Sequence, residues 1–351
     1  MSASGNPKAM IAMSGGVDSS VAALLAARMG YECTGVTMKL YADTDDAGRA
    51  AETLGIPHHI VDFSEEFRAR VIEPFAASYE NGETPNPCIL CNTHIKFGLL
   101  YEYARANGFE KFVTGHYARI TAGPGGTFRL ARAADAGKDQ SYFLYGLEQE
   151  KLARILFPLG GLTKKAVRAI AAEAGLENAE KRESQDICFV PGGGYADFIG
   201  RYRGKPRAAG NFVDTDGRVL GRHDGVERYT VGQRKGLGVA FGRPVYVREI
   251  RPETQEVVLA GGQEVYTSRI VISDVSWLMC DEELRKMNAA PMRAQIMIRY
   301  RAKPAWATVM PAAGDRLSAE FDEPVRAPAK GQAAVLYDEG YVLGGGRIAE
   351  V

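Results

Sequence analysis

Seven residues, Ser14-Gly15-Gly16-Val17-Asp18-Ser19-Ser20, stand between a short apolar run, Ala9 to Met13, and an amphipathic run that begins at Val17. Two glycines let a backbone lie close to a ligand, amides at a helix start point outward toward anions, and three serine hydroxyls add donors. The combination suits a phosphate. A Walker loop ends in glycine-lysine-serine or threonine, and no lysine stands here, which disfavours γ-phosphoryl transfer of the kinase kind. A plain glycine turn with a serine or aspartate cap is the alternative. Position argues for the ligand, because doubly wound folds bind at the carboxyl ends of their strands.

A second constellation, Thr84-Pro85-Asn86-Pro87-Cys88-Ile89-Leu90-Cys91-Asn92, is a proline-stiffened loop ahead of a helix, and Cys188 lies far away within Glu183-Ser184-Gln185-Asp186-Ile187-Cys188-Phe189-Val190. A helix start lowers the pKa of a nearby thiol, and the thiolate is the reactive form. Polar loops around Cys88, Cys91 and Cys188 predict exposed, reactive thiols. A zinc knuckle would need a fourth ligand, and there is neither a second C-x-x-C nor a spaced histidine pair. Cys33 and Cys280 lie in or beside apolar runs and read as structural. His58 and His59 read as a strand cap without a chemical role.

These residues need a frame. From Lys8 to about Gly115 short apolar runs alternate with amphipathic ones: strands over Ala9 to Met13, Thr34 to Leu40, Ile60 to Phe63 and Lys111 to Thr114, and helices over Val17 to Met29, Asp46 to Leu54 and Phe97 to Ala106, with Ser64 capping another. Such alternation implies parallel pairing through right-handed crossovers. The expected fold class is α/β, a doubly wound parallel-sheet nucleotide-binding domain. Thr163 to Ala174 reads as one more helix, capped by Thr163 and stopped by Gly175. Beyond about Tyr202 glycines, prolines and β-branched runs such as Pro244 to Ile250 and Glu256 to Leu259 predict a mostly β second half. The expected division is 1–202, 203–271 and 272–351, with breaks in the stretches 201–210 and 267–273.

Lysine plus arginine and aspartate plus glutamate both total 43, so the 351-residue chain is formally neutral, which excludes a globally basic polyanion binder. Local patches remain open to nucleic acid. Arg293, Arg299, Arg301 and Lys303 fall in an acid-free stretch with Tyr300 and Trp306 as stacking faces, and Arg201, Arg203, Lys205 and Arg207 form a second such cluster. Either alone also reads as solvated surface charge. No secretory signal and no membrane-length apolar run is apparent, and five scattered cysteines argue against a disulfide framework. A cytoplasmic location is expected, without membrane or DNA partners.

The loop SGGVDSS resembles the pyrophosphate loop of the ATP pyrophosphatases. With TPNPCILCN, Thr114-Gly115-His116-Tyr117, Lys138-Asp139-Gln140-Ser141-Tyr142-Phe143-Leu144, SQDICFVPGG, Tyr229 to Gly238 and Ile298-Arg299-Tyr300-Arg301, nearly the whole chain resembles the tRNA-specific 2-thiouridylases, which replace the C2 oxygen of the wobble uridine with sulfur. The resemblance implies a small, mostly β central domain and a C-terminal β-barrel after the nucleotide domain. It implies that Ala12, Met13, Ser14, Gly15, Gly16, Val17, Asp18, Ser19, Met38 and Gly115 bind ATP, with Mg²⁺ as the accompanying ion. Asn86, Pro87 and Cys88 would touch the target base, Cys91 would be the nucleophile, and Cys188 would carry the sulfur as a persulfide. Lys138, Asp139, Gln140, Arg299 and Tyr300 match positions that contact tRNA. The implied partners are the glutamate, glutamine and lysine tRNAs and a sulfur-carrier protein.

One departure is Cys88, where many family members carry aspartate, a candidate proton acceptor; the acceptor in this chain is therefore open. Cys88, Cys91 and Cys188 could alternatively hold a [4Fe-4S] cluster by three irons. Other readings are a different adenylating ligase, such as an amidating synthetase or a lysidine-forming tRNA ligase, and a non-catalytic RNA-binding protein with a metal cluster.

Overall fold

In the computed structural model, residues 6–40, 45–176, 187–190, 194–204, 208–238, 242 and 244–351 are described. The first sheet contains β1 (Lys8–Ala12), β2 (Glu32–Lys39), β3 (His58–Asp62), β4 (Lys111–Thr114) and, after the hairpin of β5 (Ala118–Ala122) and β6 (Phe128–Arg132), the short β7 (Ile155–Leu156). Its order is β3-β2-β1-β4-β7, and each neighbouring pair is parallel. Winding reverses between β1 and β4. The expected doubly wound α/β domain is what the chain forms, and the crevice at this reversal is where such folds bind ligands.

Burial of β1 on both faces explains its unbroken apolar sequence. Ala9 and Ile11 pack with α1 (Val17–Arg28), α2 (Asp45–Leu54) and the Lys164–Glu173 helix, while Met10 faces Phe97, Leu100 and Phe112 on the opposite side. The helix expected from Phe97 already begins at Pro87, and Cys91–Leu100 is wound as a wide π-helix before Tyr101–Ala106 closes it. Ser64 is the first residue of its helix and not the cap; Asp62 Oδ1 accepts from both its N–H at 3.0 Å and its hydroxyl at 2.6 Å.

The second half is β-rich, as expected. Strands β8 (Gly210–Val213), β9 (Val219–His223), β10 (Tyr246–Arg251) and β11 (Glu256–Ala260) form a sheet ordered β10-β11-β8-β9 over a core of Phe212, Val247, Val257 and Leu259. Strands β12 (Tyr266–Trp277), β13 (Met292–Met297), β14 (Ala305–Ala312), β15 (Arg316–Arg326), β16 (Ala333–Asp338) and β17 (Tyr341–Glu350) run β12-β15-β14-β13-β16-β17, and β12 pairs back onto β17 to close a barrel. Position 202/203 lies within the Tyr195–Arg203 helix, and β12 runs continuously through 271/272.

Hydrogen bonds and packing lock the barrel to the first domain. Strand β6 pairs with β17 at Ala131 and Tyr341, Tyr142 Oη donates to Ala333 O at 2.9 Å, and Tyr142, Met297, Val335 and Tyr337 share one core with Phe97 and Phe112. Thr84 N–H donates to Lys330 O at 2.8 Å, and Arg347 pairs with Glu83 at 2.9 Å. The loop carrying Cys88 and Cys91 is thereby pinned from behind.

Candidate active site

Strand β1 hands over to the loop at Met13, whose N–H still donates to Val36 O of β2 at 2.9 Å. Gly15 takes φ +72°, and a Cβ there would stand 2.6 Å from the Cβ of Asp46 in α2. Only glycine allows so close an approach. Gly115, just beyond β4, presses on the same loop from the other side; a Cβ on it would lie 2.7 Å from the backbone carbon of Asp18 and 2.8 Å from Ser19 N. Two neighbouring strand ends thus close one cradle around the start of α1. Met38 sits half-buried on β2, between the clusters on either side of it.

The loop serines behave differently from the expectation of three outward donors. Ser19 Oγ donates to Gly16 O at 2.9 Å and accepts from Ser14 N–H at 3.2 Å, and Ser20 Oγ donates to Gly16 O at 3.2 Å. Both are buried and hold the loop's shape, whereas Ser14 is exposed. Asp18 draws in two residues that sequence reasoning did not assign. Tyr117 Oη donates to its Oδ1 at 2.7 Å, and Lys164 Nζ reaches its two oxygens at 2.7 and 2.8 Å. A lysine in the first turn of a helix, against the helix dipole, was the available signal for Lys164.

The thiols and His116 share the field of one lysine, Lys96. Asn86 is the cap residue before Pro87, Cys88 faces solvent, and Cys91 is buried, against the expected exposure. Cys188 is exposed, while the next residue, Phe189, packs into the same core as Cys91. Each of the three thiols feels the field of Lys96, Cys188 acts on both Cys88 and Cys91, and Cys88 acts on Cys91. These residues, a hundred positions apart in part, form one electrostatic group. Lys96 follows Cys91 by five residues, about one turn of the wide helix on which both lie.

The thiols are not depressed by the helix start, as the loop context predicted. Burial pushes Cys91 up to about 11 and raises Cys88 and Cys188, with Lys96 opposing it in each case. Desolvation of the thiolate outweighs the nearby ammonium. His116 is fully enclosed, shares a 2.8 Å hydrogen bond with Thr114 Oγ1, and is held neutral by burial first and by Lys96 second. All five cysteines are free thiols. Among the described residues no three histidine, cysteine or acidic side chains are gathered to hold a metal ion. Cys33 is core, and Cys280 caps the Asp281–Ala289 helix.

The residues expected at tRNA fall into two kinds. Asp139 accepts from Ala133 N–H at 3.0 Å and from the Ser141 hydroxyl at 3.0 Å, Gln140 Oε1 accepts from Tyr117 N–H at 2.9 Å, and Arg299 donates to Val231 O at 2.7 Å and to Ala327 O. These three build the scaffold. Tyr300 packs against Phe143 with ring centroids 4.3 Å apart and the planes tilted by 43°, and Lys138 is half-buried. Neither basic cluster is acid-free in space: Arg293 pairs with Asp322 at 2.6 Å, and Arg203 with Glu73 and Glu80 at 2.6 and 2.9 Å. Lys205, Arg207, Ser184 to Asp186 and Pro191 to Gly193 lie outside the described residues.

Comparison with known proteins places this geometry in a family. Residues 7–192 match a model described as a tRNA methyl transferase HUP domain, 196–261 a tRNA methyl transferase PRC-barrel domain, and 267–348 an aminomethyltransferase beta-barrel domain. Proteins named tRNA-specific 2-thiouridylase MnmA match nearly end to end. That of Lachnoclostridium phytofermentans is 44% identical over 97% of this chain and 99% of its own length, and that of Carboxydothermus hydrogenoformans 44% over 98% of each. The Moorella thermoacetica protein is 46% identical over 97% of this chain and 99% of its own. The chain belongs to the tRNA-specific 2-thiouridylase family.

Proposed function

We propose that this protein is an ATP-dependent tRNA sulfurtransferase that adenylates C2 of the wobble uridine and inserts persulfide sulfur carried by Cys188. The observation that supports this reading most is the pairing of a phosphate cradle at the β1/β4 switch point with a group of three thiols under one ammonium, Lys96.

The C2 oxygen of uridine is a poor leaving group. Its attack on the α-phosphate of ATP forms a new O–P bond, breaks the bond to the β-phosphate and sends that electron pair out with pyrophosphate. Ala12 to Ser19, Met38 and Gly115 hold the nucleotide, the backbone amides at the start of α1 facing its charge. Asp18, in the first turn of α1, is the carboxylate that would hold an ATP-bound Mg²⁺, and the ion would supply charge neutralisation. Asn86, Pro87 and Cys88 line the base, which is splayed from a single-stranded anticodon loop.

The terminal sulfur of the Cys188 persulfide then attacks C2, AMP departs, and the Cys91 thiolate attacks the Cys188 sulfur. Alternatively Cys91 attacks first and releases hydrosulfide, which attacks C2. Both routes leave a Cys91–Cys188 disulfide, two electrons having passed to the transferred sulfur, and a dithiol reductant must reopen it. Cys91 loses its proton in the attack and Lys96 offsets the charge. Lys138 and Tyr300 contact the tRNA, and Asp139, Gln140 and Arg299 shape that surface. The substrates would be the glutamate, glutamine and lysine tRNAs, the donor a persulfide-bearing carrier protein, and the place the cytoplasm; among the described residues no helix is long and apolar enough to cross a membrane.

Incubation of unmodified tRNA with ATP and a persulfide donor should give 2-thiouridine and AMP in equal amounts. Cys91→Ser and Cys188→Ser should each lower thiolation at least about 10³-fold while single-turnover pyrophosphate release stays within about tenfold, since adenylation needs no thiol. Thiolation that survives either change would refute the persulfide route.

A further inference from the structure

His116 stands between two residues committed to the nucleotide loop, and its own side chain goes elsewhere. Gly115 presses on that loop, where a Cβ would lie 2.7 Å from the backbone of Asp18 and 2.8 Å from Ser19 N, and Tyr117 Oη donates to Asp18 Oδ1 at 2.7 Å. The imidazole packs instead against Phe97 and Phe157, with ring centroids 5.6 and 5.9 Å away. Phe97 belongs to the helix that carries Cys91 and follows Lys96, whose field reaches the ring. One residue therefore has its backbone neighbours at the cradle and its side chain against the thiol helix.

The hydrogen bonds of His116 fix its tautomer. Thr114 Oγ1 accepts from the His116 backbone N–H at 3.4 Å, which leaves the hydroxyl proton for Nδ1 at 2.8 Å. Nδ1 is then an acceptor, and Nε2 carries the ring proton. Only 9% of the residue is exposed, and among the described residues no group accepts from Nε2. A donor so enclosed and unpaired is costly and calls for a partner. Thiols are weak acceptors; the strong acceptors that the proposed reaction brings to this strand end are the phosphate oxygens of the nucleotide.

We propose that His116 is a catalytic residue for adenylation: its Nε2–H donates to a non-bridging oxygen of the α-phosphate of ATP while the C2 oxygen of uridine bonds to phosphorus and pyrophosphate leaves with the electron pair of the broken bond. No proton is transferred, and the imidazole acts as a preorganised donor where charge develops. This assignment rests on the ATP-splitting reading above, and the two can fail separately.

Two measurements on the full chain test it. In long-range proton–nitrogen NMR spectra, with the His116 signals identified by their loss in His116→Gln, Nε2 should carry the proton and Nδ1 should not, and the Nε2–H resonance should move when Mg-ATP binds. In a single turnover on unmodified tRNA, His116→Phe, which fills the space beside Phe97 and Phe157 without supplying a donor, should slow pyrophosphate release about 10²-fold. Its Mg-ATP affinity should stay within about threefold of wild type, because the donor acts on the transition state. His116→Gln, whose amide N–H can reach the same oxygen, should release pyrophosphate within about tenfold of wild type. A ring protonated at Nδ1, an Nε2–H resonance indifferent to Mg-ATP, or a Phe variant as fast as wild type would each overturn the role. Equal slowing of folded Phe and Gln variants would do the same and leave His116 a packing residue. If His116→Phe does not fold, the wild-type spectra and the rate of His116→Gln decide. Wild-type protein whose Nε2–H resonance moves with Mg-ATP but that releases no pyrophosphate on tRNA would overturn the reaction assignment and leave the His116 contact with phosphate standing.

Discussion

The nucleotide cradle and the thiol site are built in opposite ways. In the cradle the loop is contiguous, its shape is held by its own serines, and Gly15 meets α2 at a distance no side chain could share. At the thiol site the reactive atoms come from residues 88–91 and from 188, they are raised and protonated, and they are related through a shared cation more than through direct bonds. A cradle of this sort is ready before its ligand comes. The thiols differ among themselves: Cys91 is buried and its thiol is pushed up to about 11, whereas Cys88 and Cys188 are exposed, where a sulfur can be delivered.

That contrast breaks most sharply at Gly115. Gly115→Ala forces a methyl to 2.7 Å from the Asp18 backbone, so the loop must shift. Mg-ATP affinity and tRNA-dependent AMP formation should both fall, on the order of 10²-fold for a displacement near 1 Å. Alkylation rates of Cys88, Cys91 and Cys188, followed by mass spectrometry, should stay within about twofold of wild type if the two sites are built independently. A parallel fall in thiol reactivity would show that the cradle also shapes the sulfur site.

Legibility in the sequence follows the same division. Strand β4 and the Thr163 cap appear where the apolar runs and capping rules put them, because each is decided by neighbours in the chain. The cradle is legible for that reason too. Lys96, Tyr117 and Lys164 are not: Lys96 acts through helix winding that carries it back over Cys91, and Tyr117 and Lys164 reach Asp18 only once β4 and the Lys164–Glu173 helix have packed around α1. Exposure of Cys91 is misread from its polar, proline-rich surroundings because burial comes from Phe75, Ile95 and Phe198, which are distant in sequence or hidden behind the loop. The basic run from Arg293 onward looks unopposed for a related reason: Asp322 sits two strands over, outside the acid-free stretch, and antiparallel pairing delivers it.

Lys96 sharpens the comparison with a middle-sized effect. Its ammonium is the attractive charge on all three thiols, and Lys96→Met removes it without removing volume. Cys91 alkylation in the wild type should rise with pH throughout the range below about 11, where its thiolate becomes half-populated. In the variant the midpoint should move further up, so at any fixed lower pH the rate should drop, on the order of threefold for a partly solvated pair. The stability sign is consistent: a thiol favoured in its protonated form by the fold contributes fully below its unfolded value near 9, and that contribution fades as pH climbs toward 11. An unchanged midpoint would mean that Lys96 points its charge elsewhere.

The smallest effect concerns the barrel surface, where the tRNA contacts of the proposal would add to those made near Lys138. Arg293 is half-exposed, pairs with Asp322 at 2.6 and 2.7 Å and lies over the Trp306 ring at 5.6 Å. Because the pair is exposed, Asp322→Asn should leave the thermal midpoint nearly unchanged. It does change what a polyanion meets. A guanidinium no longer neutralised in place can release one more counterion, so the slope of log affinity for tRNA against log salt should steepen by roughly 0.7 to 0.9. If Arg293 instead lies outside the tRNA footprint, the slope stays where it was, and recognition is confined to the face shared by Lys138, Tyr300 and the thiol loop. That outcome would draw the two sites and the substrate surface into one contiguous region, with the far strands of the barrel serving only to brace Thr84 and Tyr142 from behind.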